Sequence, residues 1–252
     1  MKNFAKLDGV KFLACAVALA SLAACGGGGD DGGSGAGAGT TVSGTAAKGA
    51  MLVGATVEMT CANGATLSGT TNGTGTYSAQ GNVAHPCIGA ATLGSTRYRG
   101  VLLSNGTANF TPLTDMMVEV VLAAAGSGTS SLTVAQFIER IRGDATFAKN
   151  VANSGNSYRT AVLDAIKAQL IAGGKTAAQA DAILAAARAS AFDATTFALG
   201  SDLDKVLDNS AALLQDSNGN VKAALLAVAK SAGDSLPLPG AAPTGATGGS
   251  SS

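Results

Sequence analysis

The sequence predicts an α+β protein, a small antiparallel β-sandwich followed by an antiparallel helical bundle. Three observations lead there. Short alternating stretches separated by turn signals fill residues 40–111, helical periodicity fills residues 112–232, and both ends of the chain have compositions unsuited to a packed core.

The first 24 residues set an address. Lys2, Lys6 and Lys11 stand against a single Asp8, an apolar run follows from Phe12 to Leu22, and small residues close the segment. This is the tripartite layout of an export signal. An apolar helix of about 11 residues spans roughly 16 Å, about half of a ~30 Å hydrocarbon core, so residues 1–24 are expected to be removed and not to span a membrane. The closing residues Leu22-Ala23-Ala24-Cys25 resemble the lipobox of bacterial lipoproteins. That resemblance implies cleavage before Cys25, a diacylglyceryl thioether on its sulfur, and an acylated amino terminus. Several acyl chains, at roughly 0.8 kcal/mol per buried methylene, anchor stably where one chain is marginal. In that family an Asp directly after the cysteine tends to hold the protein in the inner membrane, whereas Gly26 follows here, which implies the outer membrane.

Residues 25–39 form the next segment. From Gly26 to Gly39 the chain contains only Gly, Ala, Ser and Asp, which cannot bury apolar surface and is expected to act as a tether reaching roughly 20 Å. Composition excludes other partners. Taking three Lys and one Asp away with the signal reduces 16 basic and 16 acidic side chains to 13 and 15, and no Lys/Arg cluster remains. Nucleic-acid binding and electrostatic attraction to a membrane surface both need such clusters, so membrane contact is expected through the lipid alone.

Of the four cysteines, Cys15 leaves with the signal and Cys25 takes the lipid, so Cys61 and Cys87 are the pair left for an oxidising compartment. A disulfide between them is expected. It would close a loop of roughly 25 residues and contribute about 3 kcal/mol. The rival for this pair is a metal site, which normally needs three or four protein ligands, and the only histidine is His85. No metal and no cofactor is expected.

Within residues 40–111, Ala55, Val57, Met59 and Cys61 alternate with Thr56, Glu58 and Thr60, the period of a half-buried strand. Asn63-Gly64 follows as a hairpin turn. Further turns at Asn72-Gly73, Gly75 and Asn105-Gly106 separate strand-like runs at Thr76–Ala79, Ile88–Leu93 and Tyr98–Leu103. The runs Val42-Ser43-Gly44-Thr45, Leu52-Val53-Gly54-Ala55-Thr56-Val57 and Thr71-Asn72-Gly73-Thr74-Gly75-Thr76-Tyr77-Ser78 resemble carboxypeptidase regulatory-like domains. The resemblance covers about 70 residues and implies a transthyretin-like β-sandwich. Such modules are usually non-catalytic appendages, so it implies no activity. Asn72 stands where an Asp is frequent, and the cysteine pair is a further departure.

At Thr111 the period changes. Thr111 caps a helix with Pro112 in first position, and Leu113, Met116, Met117, Val120 and Val121 fall on one face. After a break at Gly126–Ser131, Thr133 and Gln136 have capping-box spacing before Phe137, Ile138 and Ile141. Amphipathic stretches then run over Tyr158–Ala172, Thr176–Ala191, Ser201–Leu214 and Val221–Ala232, with breaks at Gly173-Gly174, Gly200 and Gly219. Residues 233–252, rich in Pro, Gly and Ser, are expected to be a disordered tail.

Chemistry is sparse. His85 is the only side chain of its type able to serve as a base, it sits in a turn before Pro86, and no Gly-x-Ser-x-Gly elbow occurs, so it is expected to be an exposed loop residue. Asp202, Asp204 and Asp208 cluster at a helix start, where acidic residues complement the helix dipole, with Asp204 and Asp208 expected on the solvent side. Asp216-Ser217-Asn218-Gly219-Asn220 lacks the Gly and Glu positions of a calcium loop and is expected to be a turn. The methionines fit a core, and Tyr77, Tyr98 and Tyr158 are too scattered for a sugar platform, although an exposed pair could bind sugar weakly. The sequence is therefore expected to encode a non-catalytic, lipid-anchored binding or structural module of the cell envelope, with an envelope protein or glycan as partner. The alternative is an accessory protein that binds a small molecule, lipid or carbohydrate for an envelope enzyme or transport system.

Overall fold

In the computed structural model the described residues are 39–104, 106–126, 130–237 and 239. The signal, Cys25, most of the tether and most of the tail lie outside them. Six strands come first: β1 (Thr40–Thr45), β2 (Thr56–Cys61), β3 (Thr66–Thr70), β4 (Thr76–Gly81), β5 (Cys87–Leu93) and β6 (Thr96–Leu102). Helices follow: α1 (Pro112–Ala125), α2 (Val134–Gly143), α3 (Ala145–Asn153), α4 (Gly155–Ala172), α5 (Ala177–Ala189), α6 (Asp202–Leu214) and α7 (Ala223–Asp234). The α+β order expected from the two periodicities is the order observed.

The strands form two antiparallel sheets, β1-β4 and β3-β2-β5-β6. Period-two alternation sets which face is inside. In β2, Val57, Met59 and Cys61 are buried while Thr56 and Glu58 are exposed. Gly64 holds φ 79°, the left-handed geometry that the Asn63-Gly64 turn between β2 and β3 requires. Thr40 pairs with Gly81 at the end of the sandwich that also holds Cys61 and Cys87, so the chain enters there.

The predicted caps at Thr111 and Thr133 form, and Thr176, three residues before Gln179, repeats the same spacing at the start of α5. Thr111, Thr133 and Thr176 each accept a hydrogen bond from the backbone N–H three residues on, and each box closes reciprocally through Thr114, Gln136 or Gln179. Two elements escape the periodicity. Strand β3 has only Leu67 as a buried apolar residue, and α3 starts at Asp144, which also ends α2. Helix α7 runs to Asp234, two residues past the predicted end.

The largest departure is α1. One apolar face is predicted, yet every residue from Pro112 to Ala125 except Glu119 is buried. Helix α1 packs against β6, α4 and α7, so it is enclosed by sheet and helices alike. A Cβ added to Gly233 of α7 would fall 2.5 Å from the Val120 carbonyl oxygen and 2.7 Å from the Ala123 Cβ, so the α1–α7 approach depends on that glycine. Arg99 of β6 reaches Asp115 at 2.5 Å and Glu119 at 2.7 Å, compensating the buried Asp115 carboxylate and its half-buried neighbour.

A polar knot joins the strands to the bundle. The fully buried Asn109 accepts from the Thr45 N–H at 2.9 Å and donates to the carbonyls of Phe192 at 2.9 Å and Thr195 at 2.8 Å. Beside it the Asp193 carbonyl accepts from the Asn109 N–H, and the Asp193 carboxylate binds Arg159 of α4 through both oxygens, at 2.5 and 3.0 Å. Replacing Asn109 with Ala strands three buried backbone groups. Asn109→Ala is expected to lower the unfolding free energy by about 3 kcal/mol or more, measured by urea denaturation; a loss under about 1 kcal/mol would show that water replaces the amide.

Candidate functional site

The predicted lipid site, Cys25, lies outside the described residues. Cys61 and Cys87 face one another across β2 and β5, with sulfurs at 2.01 Å and Cα atoms 3.9 Å apart. Both are fully buried. The pair closes a sequence separation of 26 residues and pins the sheet at the end where the chain enters.

His85 departs from expectation. The ring is half-buried, and its Nε2 is shut from solvent with no hydrogen-bond partner among the described residues, because the Asn82–Pro86 loop folds back over the end of the sandwich. The Ala62 N–H donates to both the Ala84 and Pro86 carbonyls and fixes that loop. Burial lowers the imidazole pKa below its usual value.

The acidic cluster also divides. Asp202 and Asp208 are exposed, but Asp204 is only 2% exposed, against the expected solvent side. Its Oδ2 accepts from the Gly200 N–H at 2.8 Å, which turns the residue inward under the α6 start, and its Oδ1 is buried with no hydrogen-bond partner among the described residues. The three carboxylates therefore do not converge. The 216–220 segment is a turn, as its spacing predicts, and it has a docking role that periodicity does not reveal. Asp216 Oδ1 accepts from the N–H groups of Asn218 and Asn220, while Asn218, Gly219 and Asn220 bond to Thr96, Tyr98 and Arg97 of β6. All three tyrosines are buried, so no exposed aromatic pair exists among the described residues. Met59, Met116 and Met117 lie in the core. No group of three or more metal-ligating side chains occurs among the described residues, and no helix there is long and apolar enough to cross a membrane.

What the structure brings together instead is the outer face of the four-stranded sheet. Register places Thr56, Thr92 and Arg97 in one row and Glu58, Ala90 and Arg99 in the next, with Thr60 and Ile88 beyond. These side chains and Val134 of α2 line a cleft of about 430 Å³. Its floor, along β5, is made of Ile88, Gly89 and Ala90, small or apolar. One wall carries Glu58 and threonine hydroxyls, and the other carries two guanidiniums. Arg99 is taken up by Asp115 and Glu119, whereas Arg97 is exposed and joins no ion pair among the described residues. The side chains in these rows are outward-pointing by simple alternation, but nothing in the sequence reveals that β2, β5 and β6 lie side by side.

In the bundle, the gap bounded by Thr111, Leu113, Phe192, Phe197, Leu203 and Leu207 is too small to hold a water molecule. Surface clefts of about 360 and 470 Å³ lie beside Arg159 and Arg188 and between α5 and α6.

Two expected outcomes follow from the sandwich end. Replacing both Cys61 and Cys87 with Ala should lower stability by about 3 kcal/mol in denaturant unfolding, the loop-closure contribution for this separation. Because the His85 pKa is lowered on folding, the neutral ring is favoured, and this contribution is present above about pH 6.5 and lost as pH falls through the lowered value. His85→Asn should therefore lose less Tm than the wild type between about pH 7.5 and pH 5; equal losses would place the acid sensitivity on other groups. Comparison with protein-family models, with curated proteins and with solved structures finds no match to this chain.

Proposed function

We propose that this chain is a lipid-anchored protein of the bacterial cell envelope, a binding or structural module with no catalytic role. The observation that carries the proposal is Leu22-Ala23-Ala24-Cys25 placed directly after an apolar run and directly before a glycine tract. Lipid on Cys25 would hold the protein at the outer membrane, and residues 26–39 would separate the packed unit from the bilayer. The buried cysteine pair supports an oxidising compartment. No convergence of nucleophile, base and orienting group appears among the described residues, since His85 Nε2 has no partner and the acidic cluster is split.

One observation favours the accessory ligand-binding alternative in a specific form. The outer face of the four-stranded sheet carries a mixed-charge cleft, with Glu58 on one wall and Arg97 on the other.

Intact mass spectrometry of protein extracted from its native membrane tests the anchor. A mature chain beginning at Cys25 and carrying acyl mass is expected, with that mass absent from Cys25→Ala. A soluble product lacking acyl groups would refute the proposal.

A further inference from the structure

We infer that the cleft on the outer sheet face is a binding site for a dipolar ligand, a short peptide or peptide-like molecule with a free amine and a free carboxylate. This deepens the ligand-binding reading and rests on it.

The argument starts from the two walls. Glu58 projects from β2 and Arg97 from β6, and β5 lies between them. Two strand spacings of about 4.8 Å, with an offset of one residue pair, put their Cα atoms roughly 12 Å apart, and both side chains can lean inward over the floor. Neither is joined to an opposite charge among the described residues. Arg99, the second guanidinium in the cleft, is already neutralised by two carboxylates, so it shapes the wall and leaves Arg97 as the cation facing the space. The site therefore has one available anion, one available cation and a gap between them.

The gap has a defined chemistry. Ala90 keeps the floor low, Ile88 makes it apolar, and both are held rigidly because β5 is paired on both edges. A guanidinium presents a planar fork suited to a carboxylate. A carboxylate such as Glu58 accepts charge-assisted hydrogen bonds from an ammonium group. In an extended peptide each residue adds about 3.3 Å, so two or three residues separate the terminal charges by roughly 6–10 Å, which fits within the roughly 12 Å between the Glu58 and Arg97 Cα atoms and leaves both exposed side chains free to close on the ligand's ends. A cleft of about 430 Å³ accommodates a ligand of that size. A purely anionic ligand would meet Glu58 repulsively, and a purely apolar one would leave both charges without partners.

Tri-alanine, its N-acetylated form and its C-amidated form serve as probes in NMR titration of the detergent-solubilised full chain. Saturable binding of tri-alanine is expected. Arg97→Gln should weaken tri-alanine by about fivefold or more while leaving the C-amidated peptide unchanged, and Glu58→Gln should do the same for tri-alanine but not for the N-acetylated peptide. Both residues are exposed, and unchanged melting curves would confirm folding of the variants. Absence of saturable binding, or binding indifferent to both substitutions, overturns the inference. Because lipidation is read separately by mass, an anchored protein that ignores all three peptides would sink this inference and leave the anchor proposal standing.

Discussion

The side chain of Asn109 satisfies three backbone groups that no regular element reaches. One belongs to β1 and two belong to the segment between α5 and α6, so a single amide fixes the strands against a part of the chain more than 80 residues further on. Buried backbone groups without partners cost about 1–3 kcal/mol each, so this junction is stable in one arrangement and costly in others. The adjoining Arg159–Asp193 pair extends the constraint to α4. Because Asp193 is almost fully buried, the guanidinium is required there, and the helix that carries it takes a fixed place.

Helix α1 follows from this junction. It begins two residues after Phe110, whose N–H and carbonyl bond to Thr45 and Ala47, so its start is fixed by the sandwich. From there it runs between β6, α4 and α7, and its own composition suits that path, with small and flexible apolar residues around almost the whole circumference. The buried charge of Asp115 and the half-buried charge of Glu119 are both met by Arg99 from the neighbouring strand. Burial still pushes the Asp115 carboxyl above the usual range, against the opposing pull of Arg99. The same contact holds Arg99 against the rim of the sheet cleft and leaves Arg97 beside it available.

These relations connect packing to the proposed surface chemistry. The α6–α7 turn grips β6 through Thr96, Arg97 and Tyr98, so the strand that carries the cleft's cationic wall is braced by the bundle. On the other side, the Cys61–Cys87 pair locks β2 to β5, which sets the distance between the Glu58 wall and the floor. A cleft made from three neighbouring strands is as rigid as their pairing, and rigidity of this kind lowers the ordering cost of binding.

Local signals in the chain alone determined the α+β order, the capped helix starts, the Asn63-Gly64 hairpin and the choice of Cys61 with Cys87. The cysteine pair follows from elimination of the other two cysteines, and each of the rest depends on a residue and its near neighbours: a threonine three positions before a polar partner, a glycine able to take positive φ, or alternation with period two. Strand β3, with a single buried apolar residue, and helix α3, only nine residues long, were not legible because neither carries an apolar pattern long enough to set its period. The near-complete burial of α1 was likewise decided by distant parts of the chain, whereas the inward turn of Asp204 follows a local bond from the Gly200 N–H that periodicity does not carry. The cleft belongs to that second group. Alternation places Glu58 and Arg97 on outer faces, but only the strand order β2-β5-β6 puts them across one floor, since strand order arises from long-range pairing that residues 58 and 97 do not encode locally.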